Sequence, residues 1–184
     1  LGKRIIKVAG VKKLNPVNYK IIFDRIEAGT YMIASALTKG TTIIKNVNPA
    51  FMQPEIKNLK RMGVKIFTKK SKIIIKPSSK IKNINLKTSP FPGFATDLQA
   101  QMMVLMCVAS GSSSITENIF ENRFMHVSEL NRMGANIEVK GNKAKVRGVR
   151  QLYGAEIMAT DLRASVSLVL AGLIASNKTT INRI

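Results

Sequence analysis

The sequence predicts an α/β (α+β) domain in which one supersecondary unit occurs three times. Residues 59–63, LKRMG, return as residues 130–134, LNRMG, at an offset of 71 residues. Residues 96–100, TDLQA, return 64 residues later as residues 160–164, TDLRA. Self-similarity at a fixed spacing indicates a repeated structural unit. Inside each copy helical and strand-like patterns alternate, which favours helices packed on sheets.

The first half of the middle unit is predicted as a strand, a helix and the turn that ends the helix. The strand is expected at residues 83–87. The helix follows, with Thr96 or Asp97 as its candidate N-cap, and it ends at Gly111. Its apolar side chains return at helical spacing, at Leu98, Met102, Leu105 and Met106.

The second half of the middle unit is predicted as a strand, a helix and a β-hairpin. Residues 113–117 are typical of a strand, and residues 124–133 are typical of a helix that Gly134 closes in the left-handed conformation. Two segments of alternating polarity within residues 136–147 flank a Gly-Asn pair, which is typical of a tight hairpin turn. The order in each unit is therefore strand, helix, strand, helix, strand, strand.

The three units span about residues 17–76, 83–147 and 154–184, and together they form a single domain over residues 1–184. The third unit is incomplete, because no second helix and no closing hairpin follow within the sequence. The first unit matches the second, with helices near residues 25–38 and 54–62 and a hairpin at residues 64–76.

Length and composition fit one globular domain with a buried core, since 45% of the 184 residues are hydrophobic and 22% are charged. Lys and Arg outnumber Asp and Glu by 30 to 10, and the resulting net charge of +20 can attract nucleic acid or an anionic membrane. The basic residues are spread along the chain, however, and Trp is absent, so stacking surfaces for single strands are few. We expect no nucleic-acid partner and keep a basic nucleic-acid-binding module as an alternative.

Neither metal binding nor membrane insertion is indicated by the sequence. Cys107 is the single cysteine and lies in an apolar run, where a buried free thiol is expected. The longest helix-like apolar stretches, residues 102–109 and 166–175, fall short of the roughly 20 residues that a membrane span needs. We expect no membrane partner. The chain begins at Leu1 and ends at Ile184, just after an apolar segment, and is expected to be a fragment.

Four stretches of the chain carry distinctive motifs. They are DRIEAGT at residues 24–30, PGFATDLQAQ at residues 92–101, FENRFMH at residues 120–126 and ATDLRAS at residues 159–165. In order and spacing they resemble the signatures of enolpyruvyl transferases, in particular of the family that acts on UDP-N-acetylglucosamine. The third stretch argues against the sister family that acts on shikimate 3-phosphate. The family usually has proline where this chain has Ala95, and alanine is expected to loosen the turn that aims Asp97.

The resemblance implies a fold of two similar domains, each an inside-out α/β barrel of three such units, with the substrates in the cleft between them. This chain resembles most of the second domain. Outside it lie the first domain, with a mobile cysteine loop and most of the cations that bind phosphoenolpyruvate, and a final arginine-bearing segment. Cys107 lies in a predicted helix and is not the cysteine of that loop.

The activity that the resemblance implies is transfer of the enolpyruvyl group from phosphoenolpyruvate to the 3-hydroxyl of UDP-N-acetylglucosamine, with release of phosphate. This is the first committed step of bacterial peptidoglycan synthesis and takes place in the cytoplasm. Because the chemistry is proton transfer with electrostatic stabilisation, no metal and no organic cofactor are expected. The missing domain is the expected partner, and the chain alone is expected to be inactive. A catalytically silent structural fragment is a further alternative.

The resemblance also assigns roles to residues. Asp97 matches the family carboxylate that contacts the sugar and serves as catalytic base, whereas outside the motif a helix cap is the commoner role of such an aspartate. Arg123 matches a cation lining the cleft, with a surface ion pair to Glu121 as the alternative. Ile119 and Phe120 match positions that contact the uridine end of the sugar nucleotide. An apolar pair after a strand is otherwise core.

Supporting roles at the site are implied for Asp161, Arg163, Asp24 and Arg25. Asp161 stands at the start of the third unit's helix, where a structural cap is an equal alternative. His126 has no partner carboxylate or metal spacing in the sequence and is left without a role. If the repeated helices lie side by side, their N-termini converge on one side of the domain. Helix N-termini favour anions, and both substrates are anionic.

Overall fold

The computed structural model describes residues 5–159 and 161–183, apart from the side chains of residues 163 and 164. Its helices are α1 Arg25–Thr38, α2 Gln53–Arg61, α3 Gln99–Cys107, α4 Val127–Arg132 and α5 Leu162–Gly172. Its strands are β1 Thr42–Lys45, β2 Lys65–Lys69, β3 Lys72–Lys76, β4 Asn85–Lys87, β5 Ser112–Thr116, β6 Asn136–Lys140, β7 Lys143–Arg147, β8 Glu156–Met158 and β9 Thr180–Asn182. Short 3-10 turns at Pro49–Met52 and Thr96–Leu98 precede α2 and α3. The chain is mixed α/β, as the sequence predicts.

The middle unit follows the predicted order of strand, helix, strand, helix and hairpin. Its sheet has the strand order β4-β5-β7-β6, in which β4 is parallel to β5 and the other neighbours are antiparallel. Leu86, Ile115 and Ala144 stand side by side across three strands and are buried, so this face of the sheet packs on the core. The hairpin turns at Gly141, whose φ of +57° glycine adopts without strain.

The first unit differs from the other two at its start. In those units the strands that flank the first helix pair in parallel, β4 with β5 and β8 with β9. Residues 5–23 form neither helix nor strand, so among the described strands β1 pairs with β3 alone, in a sheet of order β1-β3-β2. Val17 and Tyr19 keep most of their surface in solvent. Alternating apolar residues favour a strand, but a strand also needs the backbone of a neighbour, and this segment does not pair with one.

Helix α3 is the centre of the core. All nine of its residues are buried, and it packs on both α1 and α5. A helix that is apolar on every side belongs inside a domain. The approach of α1 is close: a Cβ on Gly29 would collide with the side chain of Leu98, and the Gln101 amide donates a hydrogen bond to the Thr30 hydroxyl at 3.3 Å.

The three repeated helices α1, α3 and α5 end at the same pole of the domain. Residues at or just after their C-termini line one cavity of about 630 Å³, and they are Leu37, Thr38, Val108, Ala109, Leu173 and Ile174. Near their first residues, α1 and α3 also touch, through Gly29 and Leu98. For α1 and α3 this contact agrees with the expectation that the helix N-termini converge at the opposite pole, and for the start of α5 the convergence stays a prediction. The site residues of the motifs lie toward those N-termini.

The start of α4 differs from the sequence prediction. The helix begins at Val127 rather than at residue 124, because the preceding residues form a turn in which the Val127 N–H bonds to the Phe124 carbonyl at 3.0 Å. Its end is as predicted. Gly134 follows the helix with φ +88°, a left-handed conformation that favours glycine.

Candidate active site

A cavity of about 1070 Å³ opens between the loop that follows β5 and the β6–β7 hairpin. Ile119, Phe120 and Arg123 line it from the loop, and Asn142 lines it from the hairpin turn. The Asn142 amide donates to the Glu117 carbonyl at 3.0 Å, and the Glu117 N–H donates to the Asn142 carbonyl at 2.8 Å. The hairpin turn therefore holds the base of the loop that presents three of the predicted residues.

Asp97 lies in the 3-10 turn Thr96–Leu98 that leads into α3. The N-cap residue of this turn is Ala95 and that of α3 is Leu98, and neither supplies a side-chain cap. The expectation that Thr96 or Asp97 is the N-cap is therefore wrong, since both residues stand inside the turn. The backbone at Ala95 has φ −67°, the value at which proline is fixed, so the turn keeps a proline-like geometry without proline.

Asp97 and Arg123 come together across 26 residues of sequence. Arg123 Nη2 lies 3.5 Å from Asp97 Oδ1, and the two side chains are 17% and 32% exposed. The Arg123 guanidinium also lies 4.5 Å from the centre of the Phe120 ring, a cation–π distance that fixes its plane. The ion pair of Arg123 is thus with Asp97, where the sequence left a surface pair with Glu121 open.

Glu117 is a site residue for which the sequence pattern gives little sign, because a glutamate after a strand is usually solvated. It is 3% exposed. Its Oε1 accepts hydrogen bonds from Thr88 Oγ1 at 2.8 Å, from the Ile119 N–H at 2.8 Å and from the Phe120 N–H at 3.3 Å. Its Oε2 accepts one from Thr96 Oγ1 at 2.8 Å. One carboxylate thereby contacts both the loop of Ile119 and Phe120 and the turn of Asp97.

Arg25 belongs to a second network, which fixes the segment ahead of Asp97. Its guanidinium donates to Glu55 Oε1 from Nε at 3.2 Å and from Nη2 at 2.7 Å, and Nη2 also donates to the Gly93 carbonyl at 2.6 Å. Phe91 lies under the guanidinium at 5.3 Å. Glu55 is buried, and its Oε2 has no hydrogen-bond partner within residues 5–159 and 161–183. Arg25 therefore ties α1 and α2 to the loop that leads into the site.

The two other predicted acids stand at helix starts. Asp24 caps α1, because its Oδ1 accepts from the Ile26 N–H at 2.7 Å and the Glu27 N–H at 3.0 Å. Asp161 directly precedes α5, and its carbonyl accepts from the Ser165 N–H at 2.9 Å. The side chain of Arg163 lies outside the described residues, so its predicted place at the site stays a prediction.

His126 is buried at the end of the loop that follows β5, and 2% of its surface is exposed. Its Nε2 has no hydrogen-bond partner in the part of the chain that the structure describes. Burial lowers the pKa of His126 from 6.5 to about 4, and the carboxylate of Asp161 acts in the opposite direction. The imidazole is therefore neutral near neutral pH, and it lies close enough to Asp161, at the start of α5, to interact with it electrostatically.

Cys107 and the remaining acids form no further site in the described part of the chain. Cys107 is fully buried in α3, and burial raises the pKa of its thiol to about 12. Across residues 5–159 and 161–183, no three His, Cys, Asp or Glu side chains are grouped as a metal ion would need. Over the same ranges, every helix is too short or too polar to cross a membrane.

The fold and the site define a domain of the enolpyruvyl transferase class. The enolpyruvyl transferase NikO from Streptomyces tendae superposes with a TM-score of 0.80 and 28% identity, over 88% of this chain and 39% of that protein. The EPSP synthase from Acinetobacter baumannii superposes with a TM-score of 0.66 over 85% of this chain and 41% of that one. At 20% identity, the second likeness shows the fold alone.

The chain belongs to the EPSP synthase (3-phosphoshikimate 1-carboxyvinyltransferase) family, whose sequence model matches residues 2–184. It is 58% identical to the UDP-N-acetylglucosamine 1-carboxyvinyltransferase of Pelagibacter ubique (strain HTCC1062), 52% identical to that of Geotalea daltonii and 53% identical to that of Rickettsia africae. Each alignment covers 100% of this chain but 44% of the relative, so the chain spans less than half the length of these proteins. The family predicted from the four motifs is confirmed.

Proposed function

We propose that this domain, in the full-length enzyme, takes part in transferring the enolpyruvyl group of phosphoenolpyruvate to the 3-hydroxyl of UDP-N-acetylglucosamine. Phosphate is the second product. One observation carries the proposal: the Asp97–Arg123 pair, at 3.5 Å, adjoins the cavity lined by Ile119 and Phe120. This arrangement occurs in a chain that is 52–58% identical to proteins named for that reaction.

Asp97 is the proposed proton acceptor. In the addition step the sugar oxygen bonds to the central carbon of phosphoenolpyruvate and loses its proton, while the methylene carbon gains one. In the elimination step the new methyl group loses a proton as the phosphate leaves. The Asp97 side chain is about one-third exposed, so it can be reached from outside the domain. General-base catalysis of this kind requires such access.

Arg123 is proposed to hold an anionic part of the substrates beside Asp97. Its guanidinium is mostly buried against the Phe120 ring, so its orientation is fixed before a ligand arrives. An arginine offers several donors in one plane, which suits phosphate and carboxylate groups. The apolar surfaces of Ile119 and Phe120 are proposed to pack on the uridine end of the sugar nucleotide.

Further parts of the site are proposed from the resemblance alone. Asp161 and Arg163 are assigned support near the reacting atoms, and the start of α1 with Asp24 is assigned support of the fold. The other domain of the enzyme is the proposed source of most cations that bind phosphoenolpyruvate. Peptidoglycan synthesis in the cytoplasm is the proposed setting.

The test is phosphate release by the full-length protein. We expect release that requires both phosphoenolpyruvate and UDP-N-acetylglucosamine, and none from the 184-residue chain alone, since positioning both substrates is a large share of such catalysis. Absence of release by the full-length protein would contradict the proposed reaction. Turnover by the chain alone would contradict the assigned division of roles.

A binding titration separates the alternatives of a nucleic-acid module and a silent fragment. We expect UDP-N-acetylglucosamine to bind with the same affinity whether or not duplex DNA is present. A nucleic-acid module would instead bind the DNA, with an affinity that falls steeply as salt increases. A silent fragment would bind neither.

A further inference from the structure

The carboxylate of Glu117 is the point at which two separate parts of the candidate site meet. Oε1 accepts from the backbone N–H groups of Ile119 and Phe120, and Oε2 accepts from the Thr96 hydroxyl. Thr96 directly precedes Asp97 in the 3-10 turn. The loop that lines the cavity and the turn that carries the proposed base are therefore fixed to the two oxygens of one buried group.

The position of Glu117 is itself set by the sheet. Glu117 directly follows β5, and Thr88 directly follows its parallel neighbour β4. The Thr88 hydroxyl donates to Glu117 Oε1 at 2.8 Å and accepts from the Asn118 N–H at 2.9 Å. Thr88 is fully buried, and its own N–H bonds to the Thr116 carbonyl at 3.0 Å. The carboxylate is thus anchored to the ends of two strands that are themselves paired by backbone hydrogen bonds.

The fold does not require a carboxylate at this position. The residue that follows the corresponding strand is Asn46 after β1 and Arg183 after β9. Both adopt a left-handed backbone, with φ 60° and 59°. Of the three repeated units, only the middle one places a buried carboxylate here, and it is also the unit that carries Asp97 and the cavity loop. The buried carboxylate therefore occurs together with the candidate site and is not a general feature of the repeated unit.

We propose that Glu117 is a positioning residue that sets the distance between Asp97 and the cavity loop. The inference rests on the proposed function. A buried carboxylate is unfavourable unless its lone pairs are bonded, and four donors here satisfy them. Hydrogen bonds to an ionised group are shorter and stronger than neutral ones, so they restrict the positions that the donor groups can occupy. A displacement of about 1 Å in a catalytic group can cost about a hundredfold in rate.

The first experiment removes the Thr96 contact alone, in the full-length enzyme. Thr96→Val keeps the shape of the side chain but cannot donate to Glu117, whereas Thr96→Ser keeps the hydroxyl. We expect Thr96→Val to lower kcat about tenfold or more, with KM for UDP-N-acetylglucosamine changed less than about threefold. Thr96→Ser should restore kcat to within about twofold of wild type. Thr38→Val is the matched control, because the Thr38 hydroxyl bonds to the Ala34 carbonyl on an exposed helix face.

The second experiment changes the carboxylate. Glu117→Gln keeps the size of the side chain, but one of its two end atoms becomes a donor and cannot accept a hydrogen bond. We expect kcat to fall about tenfold or more and hydrogen exchange to rise in peptides covering residues 118–124. Glu138→Gln is the matched control, because Glu138 is an exposed acid on β6.

The outcomes separate the two proposals. If wild-type enzyme is active and both Thr96→Val and Glu117→Gln turn over as fast as their controls, the positioning role of Glu117 is overturned and the proposed function stands. If Thr96→Ser loses as much activity as Thr96→Val, the hydroxyl contact is not the cause and the positioning role is again overturned. Wild-type enzyme that releases no phosphate would overturn the proposed function, and the role of Glu117 with it. If Glu117→Gln fails to fold, the comparison of Thr96→Val with Thr96→Ser tests the positioning role by itself.

Discussion

Arg123 Nη2 lies 3.5 Å from Asp97 Oδ1, although the two residues are 26 positions apart in sequence. At this distance the contact is a charge pair with a long hydrogen bond, which orients the Asp97 carboxylate. Arg123 lines the cavity of Phe120, so the pair lies at the edge of that cavity. An oriented and partly exposed carboxylate at this edge is what the proposed role of Asp97 as proton acceptor requires.

Replacing Asp97 by asparagine in the full-length enzyme separates a catalytic base from a structural aspartate. Asparagine has nearly the same size but cannot accept the proton, so we expect kcat to fall on the order of a hundredfold or more with little change in the thermal midpoint. Asp24→Asn is the matched control. Asp24 caps α1 through Oδ1, and asparagine caps about as well, so this variant should lose far less activity. Turnover within a few fold of wild type for Asp97→Asn would contradict the assignment.

Replacing Arg25 by methionine tests the network ahead of Asp97. Methionine keeps the apolar stem but leaves Glu55, whose side chain is 2% exposed, as a buried charge without its cation. We expect the free energy of unfolding to fall by about 3 kcal/mol in urea titrations. The double variant Arg25→Met with Glu55→Gln should recover part of that loss, because the unpaired charge is gone. A double variant no more stable than the single one would show that the buried charge is not the cause.

The single histidine predicts a pH dependence of stability. Because burial lowers the pKa of His126 to about 4 in the folded protein, the unfolded chain binds a proton more readily between about pH 6.5 and about pH 4. Stability from the neutral imidazole is complete above about pH 6.5 and is lost as the pH falls. Wild type should therefore lose about 2 kcal/mol more than His126→Gln between about pH 7 and about pH 5. Equal pH profiles from urea unfolding would contradict a buried neutral His126.

Cys107 should report unfolding through its reactivity. Its thiol is fully buried, and burial raises its pKa to about 12, so almost no thiolate exists near neutral pH. We expect iodoacetamide to modify Cys107 only after urea unfolds the protein, as followed by peptide mapping. Lys69→Cys supplies the control, because position 69 is exposed on β2 and should be alkylated in the folded protein. Prompt modification of Cys107 in the folded protein would contradict its position in the core.

The sequence by itself determined the elements whose causes are local. Two copies of one motif predict the order of helices and strands, and the hairpin at Gly141 and the helix end at Gly134 follow from conformations that glycine adopts readily. The family followed from four motifs in register. The unit boundaries near residues 76, 83, 147 and 154 stay a prediction, since the order of elements does not fix them.

Only the tertiary structure decided which distant groups meet. Asp97 with Arg123, Glu117 with Thr96, and Arg25 with Gly93 are contacts over 26, 21 and 68 residues, and no local pattern encodes such pairings. It also decided that residues 5–23 form no strand beside β1, since pairing depends on a neighbour's backbone as well as on the segment's own residues. Motifs indicate which residue types serve the chemistry, and packing sets the distances at which they act.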